Sequence, residues 1–209
     1  EIINFDIPRE INITFDLNEA VKGSNLIVFA IPAFAIRSTS LKLSTLVNKD
    51  THFLIASKGI ENETGSFLSD IVSSVLETQN VGVLSGPTFA KDLIDNSRIG
   101  FSLSTKSEKT KEIVSTTLSS DRVKLEFLDD LIGVQICGSV KNVMAIASGI
   151  LGGMNVSDST KALFLTEALN SIKYLINELG GEEKTILSLA GFGDILMTCT
   201  SENSRNYSF

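Results

Sequence analysis

Lys141 is the residue best suited to chemistry in this chain. It is the only charged group between Gly133 and Met154. Read as a helix, that stretch puts Cys137, Gly138, Met144, Ala145 and Ser148 on the same face as the lysine, and most of them are small. An ammonium in such surroundings is partly desolvated. Its pKa falls toward working pH, which suits it to donate a proton or polarise a carbonyl. The same pattern also allows a blander role, with the lysine stem snorkelling its head group to the surface. Two other places bear on the choice. Lys58-Gly59 and Ser85-Gly86-Pro87-Thr88 each follow an apolar run. Glycine lets a backbone approach a ligand closely, and Thr88 with neighbouring N–H groups can donate to an anion. Singly, each reads as a turn; together with Lys141 they point to a ligand. Arg205-Asn206, in a polar tail, offers a planar fork and a neutral donor, or simply a solvated loop.

The elements that must position these groups are legible in outline. Apolar runs at 26–31, 52–56, 81–84 and 99–103 read as strands, and 123–127 alternates as a half-exposed one. The first three are unbroken, which predicts strands covered on both faces. Helical patterns lie between them at 17–21 (with Asp16 as N-cap), 36–47, 64–78 and 106–118. The alternation predicts an α/β layer with a mostly parallel sheet, whose ligands bind beyond the carboxyl ends of the strands. From about Leu131 the strand pattern stops. A helix over 133–154, ended by Gly152-Gly153, is followed by one whose stripe is Leu165, Leu169, Ile172, Ile176 and Leu179, stopped by Gly180-Gly181. Gly191-Phe-Gly193-Asp194 turns into a further helix. The expected division is 1–130 as a sheet unit and 131–209 as an all-α unit.

Composition narrows the function. The 209 residues are 43% hydrophobic and 21% charged, enough to bury a core, and the formal net charge is −7. An acidic chain with no basic–aromatic cluster is a poor nucleic-acid binder. Cys137 and Cys199 lack partners at metal-ligand spacing and His52 is the single histidine, so no metal site is expected. Unpaired cysteines point to a reducing compartment. No apolar run is expected to reach membrane-crossing length. His52 reads as a satisfied structural histidine. Phe34 and Phe89 read as packing residues, with Phe34 also able to border a cofactor.

Three blocks carry a resemblance: Leu84 to Asp92 (LSGPTFAKD), Gly133 to Val143 (GVQICGSVKNV) with its continuation to Gly149, and Leu189 to Thr200 (LAGFGDILMTCT) followed by Ser204-Arg205-Asn206. Ser57 to Glu61 and Val28 to Pro32 fit the same pattern. The chain resembles the bacterial-type NAD(P)-dependent sn-glycerol-3-phosphate dehydrogenases. The resemblance implies hydride transfer, with NAD or NADP, between glycerol 3-phosphate and dihydroxyacetone phosphate, supplying glycerol 3-phosphate for phospholipid synthesis. It implies Lys141 as the proton-transfer group, oriented by Asp194. It implies substrate contacts from Lys58, Gly86, Thr88, Ser204, Arg205 and Asn206, and cofactor contacts from Lys58, Ala90, Arg205, Pro32 and Phe34. A cytoplasmic location and a homodimer are compatible with it. The family's opening strand and glycine-rich pyrophosphate turn, a unit of roughly 30 residues, have no counterpart here, so an incomplete dehydrogenase with weakened cofactor affinity is expected. A ketopantoate-type or hydroxy-acid reductase and a non-catalytic remnant are the competing readings.

Overall fold

A computed structural model describes residues 7–95 and 97–209. Among these residues five strands form one sheet in the order β1 (Leu26–Phe29), β2 (His52–Ile55), β3 (Val81–Ser85), β4 (Ile99–Thr105), β5 (Val123–Leu128). β1–β2, β2–β3 and β4–β5 are parallel; β3–β4 is antiparallel. The mostly parallel sheet is therefore as expected. Because β4 runs against β3, its first residues lie beside the carboxyl end of β3, with Ser85 opposite Ser102.

The helices between strands are α1 (Leu17–Val21), α2 (Ile36–Leu43), α3 (Leu68–Val75), α4 (Ala90–Ile94) and α5 (Glu108–Leu118). Asp16 caps α1 through Asn18 N, as its sequence suggested. α2 and α3 are shorter than their apolar patterns. Before α3 the chain folds back on itself: Glu61 N donates to Ser66 O, Gly65 N donates to Glu61 O, and Ile60 bridges Phe67. These local bonds claim the residues that periodicity had assigned to the helix. Phe53, Leu54 and Ile55 are covered on both faces. β1 departs from that expectation: among the described residues it is the end strand of the sheet, and Val28 is half exposed.

Beyond β5 the described chain is helical: α6 (Leu131–Gly153), α7 (Asp158–Glu178), a 3₁₀ turn at Glu183–Leu187, a π-helical turn at Leu189–Gly193, α8 (Asp194–Thr200) and α9 (Arg205–Ser208). Asp130 caps α6 by accepting from Gly133 N. The far end of α6 differs from the prediction. Gly152 and Gly153 stay helical, and Asn155, at φ 53°, takes the left-handed turn while Val156 N donates to Leu151 O. The glycines of this helix serve packing instead. A Cβ on Gly149 would lie 2.0 Å from Tyr207 O, so its absence lets α9 dock on α6.

By length and composition α6 could cross a membrane, which corrects the expectation that no run would; half of its apolar window is nonetheless buried inside the protein. Val134 and Ala190 join the core beneath β1–β3, while Phe67 packs on the helical core of Ile136, Ile172, Ile176 and Ile195. The two layers thus interlock where the polar residues gather. Leu179, expected on the buried stripe of α7, is about half exposed because the stripe ends at Ile176. His52 is only partly satisfied: Nδ1 meets Thr110 Oγ1 at 2.8 Å, while Nε2 is buried with no partner among the described residues. Burial, the first cause, and then Lys109 hold its pKa below the usual histidine value.

Candidate active site

Lys141 does not snorkel. It is 8% exposed, and its Nζ donates to Asp194 Oδ1 at 2.6 Å and to Thr198 Oγ1 at 3.1 Å. Small neighbours make this possible, because Cys137, Ala145 and Ser148 are buried on its face. Lys58 Nζ reaches the other oxygen of the same carboxylate, Asp194 Oδ2, at 2.6 Å. One fully buried carboxylate thus holds two ammonium groups. Desolvation, the larger cause, and then the charge of Lys58 push the Lys141 pKa down to about 8, against the opposing pull of Asp194.

Each side chain is delivered by a specific backbone device. Lys58 leaves the carboxyl end of β2, where Ser57 Oγ receives Ile31 N and donates to Ile31 O, tying the ends of β1 and β2. Beyond it, buried Glu61 takes a bidentate bond from Arg37 and a third from Thr64, which holds its carboxyl down at about 2. Asp194 is delivered by the π-helical turn. There Ser188 Oγ receives Gly191 N, and a Cβ on Gly191 would strike the carbonyl oxygens of Thr185 and Ile186. Thr198, one turn further on, donates to the Asp194 carbonyl at 2.6 Å.

A cleft of about 580 Å³ opens beside Lys141, bounded by Thr88, Phe89, Asn142, Met197, Thr198 and the tail residues Asn203 to Asn206. The lysine and the Arg205-Asn206 pair therefore share one cavity. Among the described residues Thr88 Oγ1, buried at its edge, has no partner, and neither has Ser85 Oγ three residues earlier. Asn206 Nδ2 donates to Asn142 Oδ1 at 2.8 Å, which links the tail to the residue after Lys141. Arg205 is exposed. A comparable cavity of about 590 Å³ beside Leu169, Ile186, Leu187 and Phe192 holds none of the predicted site residues.

The predicted residues fall into two groups. Lys141, Asp194, Lys58, Thr88, Ser204, Arg205 and Asn206 converge on the cleft or on the ion network behind it. Ser204 is buried, and its hydroxyl caps α9 by receiving Tyr207 N. Gly86 is packed against β4, where a Cβ would lie 2.4 Å from Gly100 O. Pro32, Phe34 and Ala90 lie outside the cleft and are exposed. Phe34, 74% exposed at the carboxyl edge of β1, is not the packing residue it was expected to be; Phe89 lines the cleft. Sequence reading missed Asn142 and Thr198. Adjacency to Lys141 and one-turn spacing from Asp194 were the available signals. Among the described residues no cluster of metal ligands occurs.

A mostly parallel sheet whose carboxyl edge meets a lysine–carboxylate pair on a helical unit defines the class, a Rossmann-like fold with an appended all-α unit. The chain belongs to the NAD-dependent glycerol-3-phosphate dehydrogenase family: residues 2–111 match the family's N-terminal model and 130–209 its C-terminal model. It is 35% identical over 204 residues to a Staphylococcus epidermidis glycerol-3-phosphate dehydrogenase [NAD(P)+], covering 96% of this chain and 61% of that one. The crystal structure of glycerol-3-phosphate dehydrogenase from Coxiella burnetii superposes with a TM-score of 0.94 at 30% identity, covering 98% of this chain and 63% of that one. A ketopantoate reductase from Ralstonia eutropha shares the fold alone, with a TM-score of 0.56 at 15% identity over 90% of this chain and 64% of that one. The chain spans about three fifths of the curated relatives it matches.

Proposed function

We propose that this chain carries the proton-transfer and phosphate-binding machinery of an NAD(P)-dependent glycerol-3-phosphate dehydrogenase, interconverting sn-glycerol 3-phosphate and dihydroxyacetone phosphate in the supply of glycerol 3-phosphate to phospholipid synthesis. One observation carries it. Lys141, whose Nζ is bound to Asp194, shares a cleft with Arg205 and Asn206. Lys141 would hold the proton given to, or taken from, the oxygen at C2, with Asp194 and Thr198 aiming its ammonium. Arg205, Asn206 and the unpartnered Thr88 hydroxyl would grip the phosphate, with Gly86 and Ser204 shaping the turns that present them. Lys58, on the sheet side of Asp194, would bridge substrate and cofactor.

The residues present fit the nicotinamide end of a dinucleotide. The carboxyl edge of β1–β3 ends in exposed Phe34 and Pro32, in Lys58, and in the unpartnered hydroxyl of Ser85. Pro32, Phe34, Lys58, Ala90 and Arg205 would hold it, and the bound cofactor would supply or accept the hydride. The reading includes a sheet unit at 1–130, a helical unit at 131–209, a homodimeric form and a cytoplasmic location; the two free buried cysteines suit the last of these.

Ligand-induced thermal shifts and NAD(P)H-coupled reduction of dihydroxyacetone phosphate test the proposal together. Glycerol 3-phosphate is expected to stabilise the chain where 2-hydroxy acids do not, and Lys141→Ala is expected to keep most of that binding while lowering reduction by about 10²–10⁴-fold. Stabilisation by ketopantoate alone would favour the carboxylate reductase. No response to either substrate or to NAD(P)H would favour the non-catalytic remnant.

A further inference from the structure

The turn that delivers Asp194 is anchored from the sheet. Glu126, on β5, accepts from Leu189 N at 2.8 Å and from Ser102 Oγ at 2.7 Å. Ser102, on β4 and fully buried, in turn accepts from Ala190 N at 2.9 Å. Gly191 N goes to Ser188 Oγ. The first three N–H groups of the π-helical turn are thus all taken by side-chain oxygens, two of them on β5 and β4. A turn of this kind leaves its leading donors without partners of its own. An anion there also meets the positive end of the backbone dipoles.

A second carboxylate four residues on does the same for the other arm. Asp130 receives Gly133 N at the start of α6, and also Glu182 N at 2.8 Å and Thr185 Oγ1 at 2.6 Å. The element bearing Lys141 and the element bearing Asp194 are therefore both tied to the end of β5.

We propose that Glu126, acting with Ser102, is a positioning residue that fixes the Asp194 carboxylate between Lys141 and Lys58. It touches neither lysine, and it works by holding the main chain at Leu189 and Ala190. The contact has been set aside for this purpose in the fold: Gly100, beside Ser102 on β4, has no side chain, and a Cβ there would lie 2.9 Å from Leu189 Cδ1. A loosened turn lets Asp194 withdraw. Lys141 then keeps its desolvation and the nearby charge of Lys58, and it stands near the Cys199 thiol of α8 and in the same cleft as Arg205 on α9 without its compensating anion. Its amine is then free to a lower pH. The proposal deepens the dehydrogenase reading, on which the value of the Lys141–Asp194 contact rests, but its test needs no turnover.

The test is the pH profile of Lys141 acylation by acetic anhydride, read by peptide mass spectrometry, alongside thermal unfolding. In Glu126→Ala the midpoint of the profile is expected to fall by about half to one pH unit, giving about three- to fivefold more free amine at pH 7. Glu126→Gln, which keeps an acceptor oxygen for Leu189 N, is expected to restore most of the original profile. Ser102→Ala, a smaller lesion in the same latch, is expected to shift the midpoint in the same direction by less, and it decides the matter if Glu126→Ala does not fold. A folded Glu126→Ala or Ser102→Ala that melts earlier yet leaves the Lys141 profile unmoved would overturn the proposal, reducing Glu126 to a structural tie.

Discussion

The two ends of the cleft are built on opposite principles. At one end Lys141 and Asp194 are buried, paired at 2.6 Å and backed by Thr198. At the other, Arg205 stands exposed on a four-residue helix. If Lys141 moves the proton, as proposed, the buried end must hold its geometry before anything binds, because such a group is useful only at a set position and protonation state. The exposed end needs only charge within reach, since a phosphate brings its own anion and can order a mobile guanidinium. Desolvation therefore acts where chemistry is expected and is avoided where capture is expected.

The largest effect should come from breaking the buried end. Asp194→Ala leaves Lys141 buried without its anion, and Lys58 loses the same partner. A loss of about 3–5 kcal/mol in urea unfolding is expected; a loss under about 1 kcal/mol would show that water reaches both ammonium groups.

Next comes the pH dependence that this burial creates. Desolvation and the charge of Lys58 lower the Lys141 pKa from 10.5 to about 8, so above pH 8 the unfolded chain binds more protons at this site and stability should rise with pH. Burial raises the Cys137 and Cys199 thiols from 9.0 to about 12 and about 11, so above pH 9 the folded chain binds more protons there and stability should fall. Between pH 8 and 9 the stability of the unsubstituted protein relative to Lys141→Met is expected to rise by about 1 kcal/mol in urea unfolding, while both proteins lose stability above pH 9 as the thiols titrate. A difference between the two that stays flat across that range would contradict the burial of Lys141.

The smallest stability effect belongs to the exposed end. Arg205→Leu should change unfolding by less than about 0.5 kcal/mol while weakening glycerol 3-phosphate binding by about tenfold or more, since charge-assisted bonds to an anion contribute roughly 1.5–3 kcal/mol. Undiminished binding by isothermal calorimetry would remove Arg205 from the phosphate grip.

Much of this was readable in the residues. The strand runs at 26–31, 52–56 and 81–84 are local patterns, and their order already placed Lys58 and Thr88 at one edge of a sheet. Lys141 stood out because charge is rare in an apolar helix. Asp194, by contrast, looked like part of a glycine turn until the resemblance gave it a role. Glu126 and Asp130 had no signal at all. One lies in an alternating strand, where a carboxylate normally faces water, and its contacts to Leu189 and Ser102 span 63 and 24 residues. The role of Gly149 was hidden for a similar reason, because the clash it avoids comes from Tyr207 on another helix.

By itself, the sequence determined which segments are strands and helices, which faces are apolar, and which amine would be costly to bury, because periodicity and desolvation act over a few residues. Only the tertiary structure decided that two lysines share one carboxylate, that Arg205 and Asn206 line the same cleft as Lys141, and that sheet strands hold the turn carrying Asp194. Those outcomes depend on where distant backbones meet, and hydrogen bonds and charges act over a few ångströms of space however far apart their residues lie along the chain.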